Sequence, residues 1–252
     1  MSARALGDAM AERAARRGLR LDLARLERAD AWLFGGVPAP IERALFVGVG
    51  HGHDALWGLM EGRFESVLGV DPYVGAHGND DRDFQALQSL IADAKLTQRF
   101  AVERTTVEDY LGRNPDARFD AIICNDVLHH IFETAAPLSR SELAARAGVL
   151  FGSMRRAAPN GWLVVSEVER HGLRPVMTRC GLLGGDVNYA TKQPREEWDA
   201  AIRAAGWTRL AAENYIPYAL RTSAPLWSGT LGRYTVCDRY RLIYRAGRNT
   251  RS

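Results

Sequence analysis

Apolar residues in the first 34 positions recur at helical intervals. Leu19, Leu23, Leu26 and Leu33 stand four, three and seven residues apart, which lines one helical face, and the Gly35-Gly36 and Pro38-Ala39-Pro40 turns end it. From there the period changes. Short continuous apolar runs at Ala44–Val49, Ser66–Val70, Phe100–Glu103, Phe119–Cys124 and Trp162–Ser166 predict strands buried on both faces. Between them, Phe84, Leu87 and Ile91 make one amphipathic stripe, and Leu143, Ala147, Leu150 and Met154 make another. Regularity lapses over residues 167–193. A helix resumes at Arg195, with Trp198, Ile202 and Ala205 on one face and Gly206 as its stop. Two more strands, near Leu210–Tyr215 and Val236–Tyr244, close the chain. Strands alternating with helices predict βαβ units, whose right-handed crossovers put helices on both faces of an open sheet.

Composition narrows the classes. The chain has 252 residues and is 46% hydrophobic, enough for a sizeable core, so disordered and fibrous classes are excluded. Lys+Arg minus Asp+Glu is 33 − 30 = +3, and no long basic run is present to neutralise phosphates, so no nucleic-acid partner is expected. Cys124, Cys180 and Cys237 are odd in number, far apart and outside any CxxC pair, which predicts reduced thiols in a cytoplasmic protein. The first residues lack the apolar stretch of a signal peptide or membrane span. No membrane partner is expected.

Candidate chemistry begins where the first strand ends. Gly48-Val49-Gly50-His51-Gly52 runs into His53-Asp54-Ala55-Leu56, the opening of a helix. Glycines at a strand-to-helix turn admit close approach of a ligand, and the helix start offers N–H groups. The dinucleotide fingerprint requires glycine where His53 stands, which disfavours a nicotinamide-dependent oxidoreductase. The second strand ends in Val70-Asp71-Pro72, with an acid suited to accepting the two hydroxyls of a ribose.

In these features the chain resembles the class I S-adenosylmethionine-dependent methyltransferases, from about Ala44 to Ile243. The resemblance implies a Rossmann-like α/β fold: a seven-stranded, mostly parallel sheet with helices on both faces, here with an N-terminal helical extension. A single domain over 1–252 is expected, made of the extension (1–40), a cofactor-binding half (41–166) and a substrate-side half (167–252). It also implies S-adenosylmethionine as cofactor, held by Gly48, Val49, Gly50 and Gly52 around its methionine part and by Asp71 and Pro72 at the ribose. Thr106, Val107 and Glu108 would stand at the adenine. Phe119–Ile131 is similar to the family's fourth-strand motif, whose end borders the transferred methyl and supplies Asn125 and Asp126 as further cofactor contacts. Ala158-Pro159-Asn160-Gly161 resembles its turn into the fifth strand, and Ala205-Gly206-Trp207 its entry to the sixth. Two positions depart from the pattern. Phe46 stands where the family commonly has an acid two residues before the first glycine, and Thr106 where an adenine-binding acid is frequent.

Methyl transfer from a sulfonium needs alignment, exclusion of water and, for a protonated acceptor, a base. His129 and His130 follow the fourth strand and are the candidate catalytic bases. The expected arrangement has His129 facing the acceptor and His130 packed on the sheet. The histidine spacings are not those of a metal site, so no metal is expected. Acceptor contacts are expected from His171, Arg174, Arg179, Tyr189 and Trp227, in segments outside the core motifs. With no added domain, the reading is methyl transfer to a small organic molecule, at oxygen for preference, by a monomer or homodimer. A cofactor-binding module without turnover is the alternative.

Overall fold

The computed structural model describes residues 3–15, 23–75, 79–133, 138–182, 192–216, 228–235, 237 and 239–247. Its strands are β1 (Ile41–Val47), β2 (Phe64–Val70), β3 (Phe100–Glu103), β4 (Ala121–Asn125), β5 (Trp162–Val168), β6 (Trp207–Asn214) and β7 (Arg239–Ala246). They form one seven-stranded, mostly parallel sheet in the order β3-β2-β1-β4-β5-β7-β6. The helices are α1 (Ala3–Ala15), α2 (Leu23–Phe34), α3 (His53–Met60), α4 (Asp81–Asp93), α5 (Val107–Arg113), α6 (Leu128–Ile131), α7 (Arg140–Ala157), α8 (Leu173–Arg179), α9 (Arg195–Ala204) and α10 (Thr230–Thr235). Contacts divide the chain into two compact units, residues 1–123 and residues 124–252.

In the first unit, β1 pairs parallel with β2, and β2 with β3, while α3 and α4 make the crossovers between them. β1 starts three residues before the apolar run because Ile41 pairs with Phe64, and the exposed Glu42 and Arg43 hide those positions from a hydrophobicity pattern. It stops at Val47, after which the Gly48 and Val49 N–H groups both turn to Val70 O, at 2.8 and 3.2 Å. α4 is capped by Asp80, whose carboxylate accepts the Arg82 and Asp83 N–H groups while the Asp83 carboxylate accepts the Asp80 N–H. This reciprocal cap fixes the helix start. The expected N-terminal helical extension consists of α1 and α2, with Leu19 outside the described residues. α2 is fastened by Phe34, 1% exposed, which meets Phe64 edge-on at 5.1 Å, and by a fork from Arg63 to the buried Asp30.

In the second unit β7 pairs antiparallel with both β5 and β6. β6 starts at Trp207, earlier than its sequence pattern indicates. As the last strand in the sheet it has mostly exposed side chains and a register shift between Arg209 and Ala211, so alternation is weak there. Trp198 of α9 is 1% exposed and packs edge-on against Phe132 at 5.0 Å and Phe151 of α7 at 6.4 Å. Two expectations are corrected. The irregular stretch after β5 contains α8, and the final strand begins at Arg239 instead of Val236, since residues 230–235 form α10.

Candidate functional site

In the first unit the ends of β1 and β2 form a polar turn. Gly48, Gly50 and Gly52 all have left-handed backbones, with φ of 64°, 50° and 69°, a region glycine enters without a Cβ penalty. Space excludes a side chain at Gly52 as well, because a Cβ there would stand 2.5 Å from Leu87 of α4. The Asp71 carboxylate, 6% exposed, ties this loop to β2. Its Oδ2 accepts the Gly50 N–H at 3.1 Å and the Asn79 amide at 3.2 Å, and its Oδ1 accepts the Tyr73 N–H at 2.9 Å. The Tyr73 hydroxyl donates to Gly50 O at 2.5 Å. Burial, with Asp71 adding to it, pushes that hydroxyl far above the usual phenol range, so it is a fixed donor.

The other expected cofactor residues of this unit have mixed settings. Val49 is buried against β2, and a Cβ at Gly69 would lie 2.8 Å from it. Pro72 follows Asp71 at partial exposure. The Thr106 hydroxyl caps α5 by accepting the Asp109 N–H at 3.1 Å; Val107 is buried, and Glu108 is exposed. Phe46 is 5% exposed and meets both Phe34 and Phe64, so this position packs the helical extension instead of serving the glycine loop.

In the second unit the residues after β4 meet the end of β5. Asn125 ends β4, and Asp126, in a left-handed conformation at φ 53°, donates its N–H to Ser166 O at 2.8 Å. The Asp126 Oδ2 pairs with Arg239 of β7. Burial raises the Asp126 carboxyl from its ordinary 3.8 to about 6, with Arg239 opposing and Glu167 adding to the rise. Glu167 of β5, 1% exposed, holds two groups at once. Its Oε1 accepts the Leu128 N–H at 2.7 Å and lies 3.4 Å from the His129 N, while its Oε2 stands 2.6 Å from His129 Nδ1. Lys192 is 7% exposed, and burial lowers its ammonium although Glu133, Glu167 and Asp126 oppose this.

The packing of the His pair differs from the expectation that His130 is the one held on the sheet. His129 has the more buried side chain, 11% exposed, and is anchored to the sheet through Glu167. His130 is 34% exposed, with Nδ1 3.8 Å from Glu133. Adjacent positions on a helical turn point about 100° apart, and the carboxylate on β5 selects the first of the two. His171 is exposed, and its N–H donates to Glu169 at 3.2 Å. Arg174 and Arg179 belong to α8; Tyr189 and Trp227 lie outside the described residues. Among the described residues, no group of three His, Cys, Asp or Glu side chains is arranged to hold a metal. Among them too, no helix is long and apolar enough to cross a membrane.

Sequence reasoning passed over Tyr73, Glu167, Lys192 and Arg239. For Glu167 a signal existed, since a carboxylate directly following an apolar strand run needs a buried partner.

No protein-family model matches the chain, and no curated protein matches it. Solved structures do. An S-adenosylmethionine-dependent methyltransferase from Archaeoglobus fulgidus matches with a TM-score of 0.56 at 14% identity, over 88% of this chain and 91% of that one. An O-methyltransferase family protein from Burkholderia thailandensis matches at 0.58 and 16%, over 98% of this chain and 60% of that one. A cyclopropane synthase from Mycobacterium tuberculosis matches at 0.57 and 13%, over 90% and 84%. The chain has the class I methyltransferase fold. Within that fold the strand order places β7 between β5 and β6, antiparallel to both, as the last strand in sequence.

Proposed function

We propose that this protein is an S-adenosylmethionine-dependent methyltransferase that acts on a hydroxyl group of a small organic molecule. The observation that carries the reading is the buried Asp71 carboxylate, bonded to the Gly50 N–H of a loop with three left-handed glycines at the end of β1. The donor set fits the cofactor. A carboxylate offers about four lone-pair positions; three are taken, one of them by the side chain of Asn79, which a ribose hydroxyl can replace. Gly48, Gly50 and Gly52 would admit the methionine part, with Val49 and Pro72 flanking. Thr106, Val107 and Glu108 would border the adenine, and Asn125 and Asp126 would complete the contacts. When bound, the cofactor supplies a methyl on a positively charged sulfur that leaves with its bonding pair.

The chain's own task is to bind, orient and remove a proton. His129 is the proposed base, and its setting beside Glu167 supports it over His130. Acceptor contacts are proposed from His171, Arg174, Arg179, Tyr189 and Trp227, and the protein is proposed to work in the cytoplasm as a monomer or homodimer.

Calorimetry with S-adenosylhomocysteine and with NADH tests the cofactor, and methyl-tritiated S-adenosylmethionine with a panel of phenols and aliphatic alcohols tests the acceptor class. Binding of NADH alone overturns the reading. The second reading, a binding module without turnover, is favoured by Phe46 in the aromatic core where an acid is common; homocysteine-product binding with no transfer to any acceptor class selects it.

A further inference from the structure

We propose that the cleft where α9 turns into β6 is a binding site for the phosphate group of a small ligand. It measures about 470 Å³ and is lined by Arg203, Gly206, Trp207, Thr208 and Arg209, a size within the range of small-molecule sites. β5 and β6 are both antiparallel to β7, and Trp162 and Thr208 both pair with Arg245. The cleft therefore lies at the end of the sheet where β5 begins. Glu167, which pairs with Tyr240, stands toward the other end, so the cleft is separate from the site around His129.

Three guanidinium groups meet here. Arg209 Nη1 pairs with Asp199 Oδ2 at 2.7 Å, and Arg203 Nη1 is 3.9 Å from the same oxygen, beyond hydrogen-bond length. The other oxygen, Oδ1, accepts the Tyr244 hydroxyl at 3.0 Å. Arg155 reaches over from α7, where its Nη2 donates to Gly247 O at 3.1 Å. A Cβ on Gly206, whose φ is 91°, would stand 3.1 Å from Arg155 Nε and 3.3 Å from its Cζ, so the bare glycine lets this guanidinium lie close. Three guanidinium groups against the one carboxylate of Asp199 leave a surplus of two positive charges. The last turn of α9 offsets roughly half a charge. The floor is rigid, because Trp207, 2% exposed, donates its indole N–H to Phe151 O at 3.0 Å. On this floor the side chains of Arg203 and Arg209 are 62% and 43% exposed, so water reaches N–H groups that a ligand can take over.

Guanidinium forks match the oxygens of phosphate and carboxylate alike. Charge decides between them. A phosphate monoester carries about −1.5 to −2 at neutral pH, which matches the surplus; a carboxylate cancels only part of it. The Thr208 hydroxyl adds a neutral donor at the same wall.

Titration with glycerol 3-phosphate, inorganic phosphate and acetate tests the site, followed by calorimetry and by the amide chemical shifts of residues 203–209. Ionic strength is held constant, because exposed charges are screened. The natural protein should bind both phosphates with a Kd of ~1 mM or tighter, and acetate at least about tenfold more weakly. Arg203→Gln leaves the Asp199–Arg209 pair in place and should weaken phosphate binding about 3–10-fold. Arg209→Lys keeps the charge but loses the fork, and a similar loss is expected. Arg156 bonds Ser153 Oγ at 2.8 Å and does not line the cleft; Arg156→Gln, the same change of charge, should stay within about twofold of the natural protein. Tighter binding of the ester assigns the site to a phosphorylated small molecule, and otherwise inorganic phosphate is itself the ligand. Three outcomes overturn the proposal: no phosphate shifts these amides below ~10 mM, acetate binds as tightly as phosphate, or Arg156→Gln weakens binding as much as Arg203→Gln. The first two need only the natural protein, so a misfolding variant does not rescue it.

Discussion

Phe46 meets Phe64 edge to face, with 5.4 Å between ring centroids, at the position where the methyltransferase resemblance favours a carboxylate. Phe34 of α2 completes the cluster at 5.1 Å from Phe64 and 6.2 Å from Phe46. The N-terminal extension is therefore docked on one of the two residues that depart from the family pattern. Phe46→Ala should lower stability by about 3–5 kcal/mol, as for other buried phenylalanines. Phe46→Asp should cost more, since it buries an unpaired charge. Neither should tighten S-adenosylhomocysteine binding. Urea denaturation and calorimetry on the folded fraction check both; tighter binding by Phe46→Asp would show that the position does serve the cofactor.

Asp71→Ala should weaken S-adenosylhomocysteine binding by roughly 10–100-fold, the value of a charge-assisted bond to a ribose. The fold also depends on this carboxylate, because its loss strands the Gly50 and Tyr73 N–H groups and the Asn79 amide. A stability loss of about 1–3 kcal/mol should accompany the affinity change. Asp71→Asn, which keeps one acceptor oxygen, should fall between the two proteins in both measurements. Affinity unchanged in Asp71→Ala would remove the residue from the site.

Gly52→Ala combines two costs. The backbone there is at φ 69°, and the added methyl would stand 2.5 Å from Leu87 Cδ1. A left-handed alanine costs roughly 1–2 kcal/mol, and overpacking adds about 1–3 kcal/mol. Chemical denaturation should therefore show a loss of at least ~2 kcal/mol, and Gly52→Ala should cost less in a Leu87→Ala background, where the clash is gone, than in the natural protein. Gly62→Ala is the control: φ is 71° there too, but no atom lies within 4 Å of its Cβ, so only the backbone cost should remain.

The central fold was legible because β1, β2, β4 and β5 each contain a continuous buried apolar run and α4 and α7 have regular stripes with polar caps at Asp80 and Ser139. The margins were not. β6 lies at the sheet edge with exposed side chains, so its sequence lacks a clear period. The glycine loop and Asp71 were readable from residue type and spacing. Their partners Tyr73 and Asn79 were not, because an aromatic and an amide in a loop carry no sign of what they will bond. In the second unit the His pair stood out in the sequence, but the partner that distinguishes His129 from His130 is Glu167, 38 residues later in the chain. A long-range hydrogen bond leaves no local periodicity to read.

Arg233 ties α10 to α9 and to the residue that follows β5 in the second unit. It is 6% exposed, forks onto Glu169 at 2.6 and 3.3 Å, and pairs with Glu196 of α9. Arg233→Met should destabilise by about 3–5 kcal/mol, because it leaves the buried Glu169 unpaired. The arginine also holds the Glu196 carboxyl down from 4.5 to about 2. A depressed carboxyl adds stability above its unfolded value that is lost as pH falls through its folded one. The natural protein should accordingly lose stability from this group between about pH 4.5 and 2. Arg233→Met should lose less over the same interval, as followed by thermal unfolding.

Asp126 gives the opposite sign. Its carboxyl is raised from 3.8 to about 6, chiefly by burial, against the pull of Arg239. A raised carboxyl contributes its full stability below the unfolded value and loses it as pH climbs through the folded value. Between about pH 4 and 6 the natural protein should therefore pass through a loss that Asp126→Asn, which cannot ionise, does not have. The substitution also removes the partner of Arg239, but that guanidinium stays charged across the interval, so its cost is a constant offset. Titrating groups remote from Asp126 are shared by the two proteins and cancel in the difference. The stability of Asp126→Asn relative to the natural protein should thus rise from pH 4 to pH 6 and then level off, measured by urea unfolding at half-unit steps. A flat difference would mean that Asp126 ionises in its ordinary range, with Arg239 and solvent outweighing its burial.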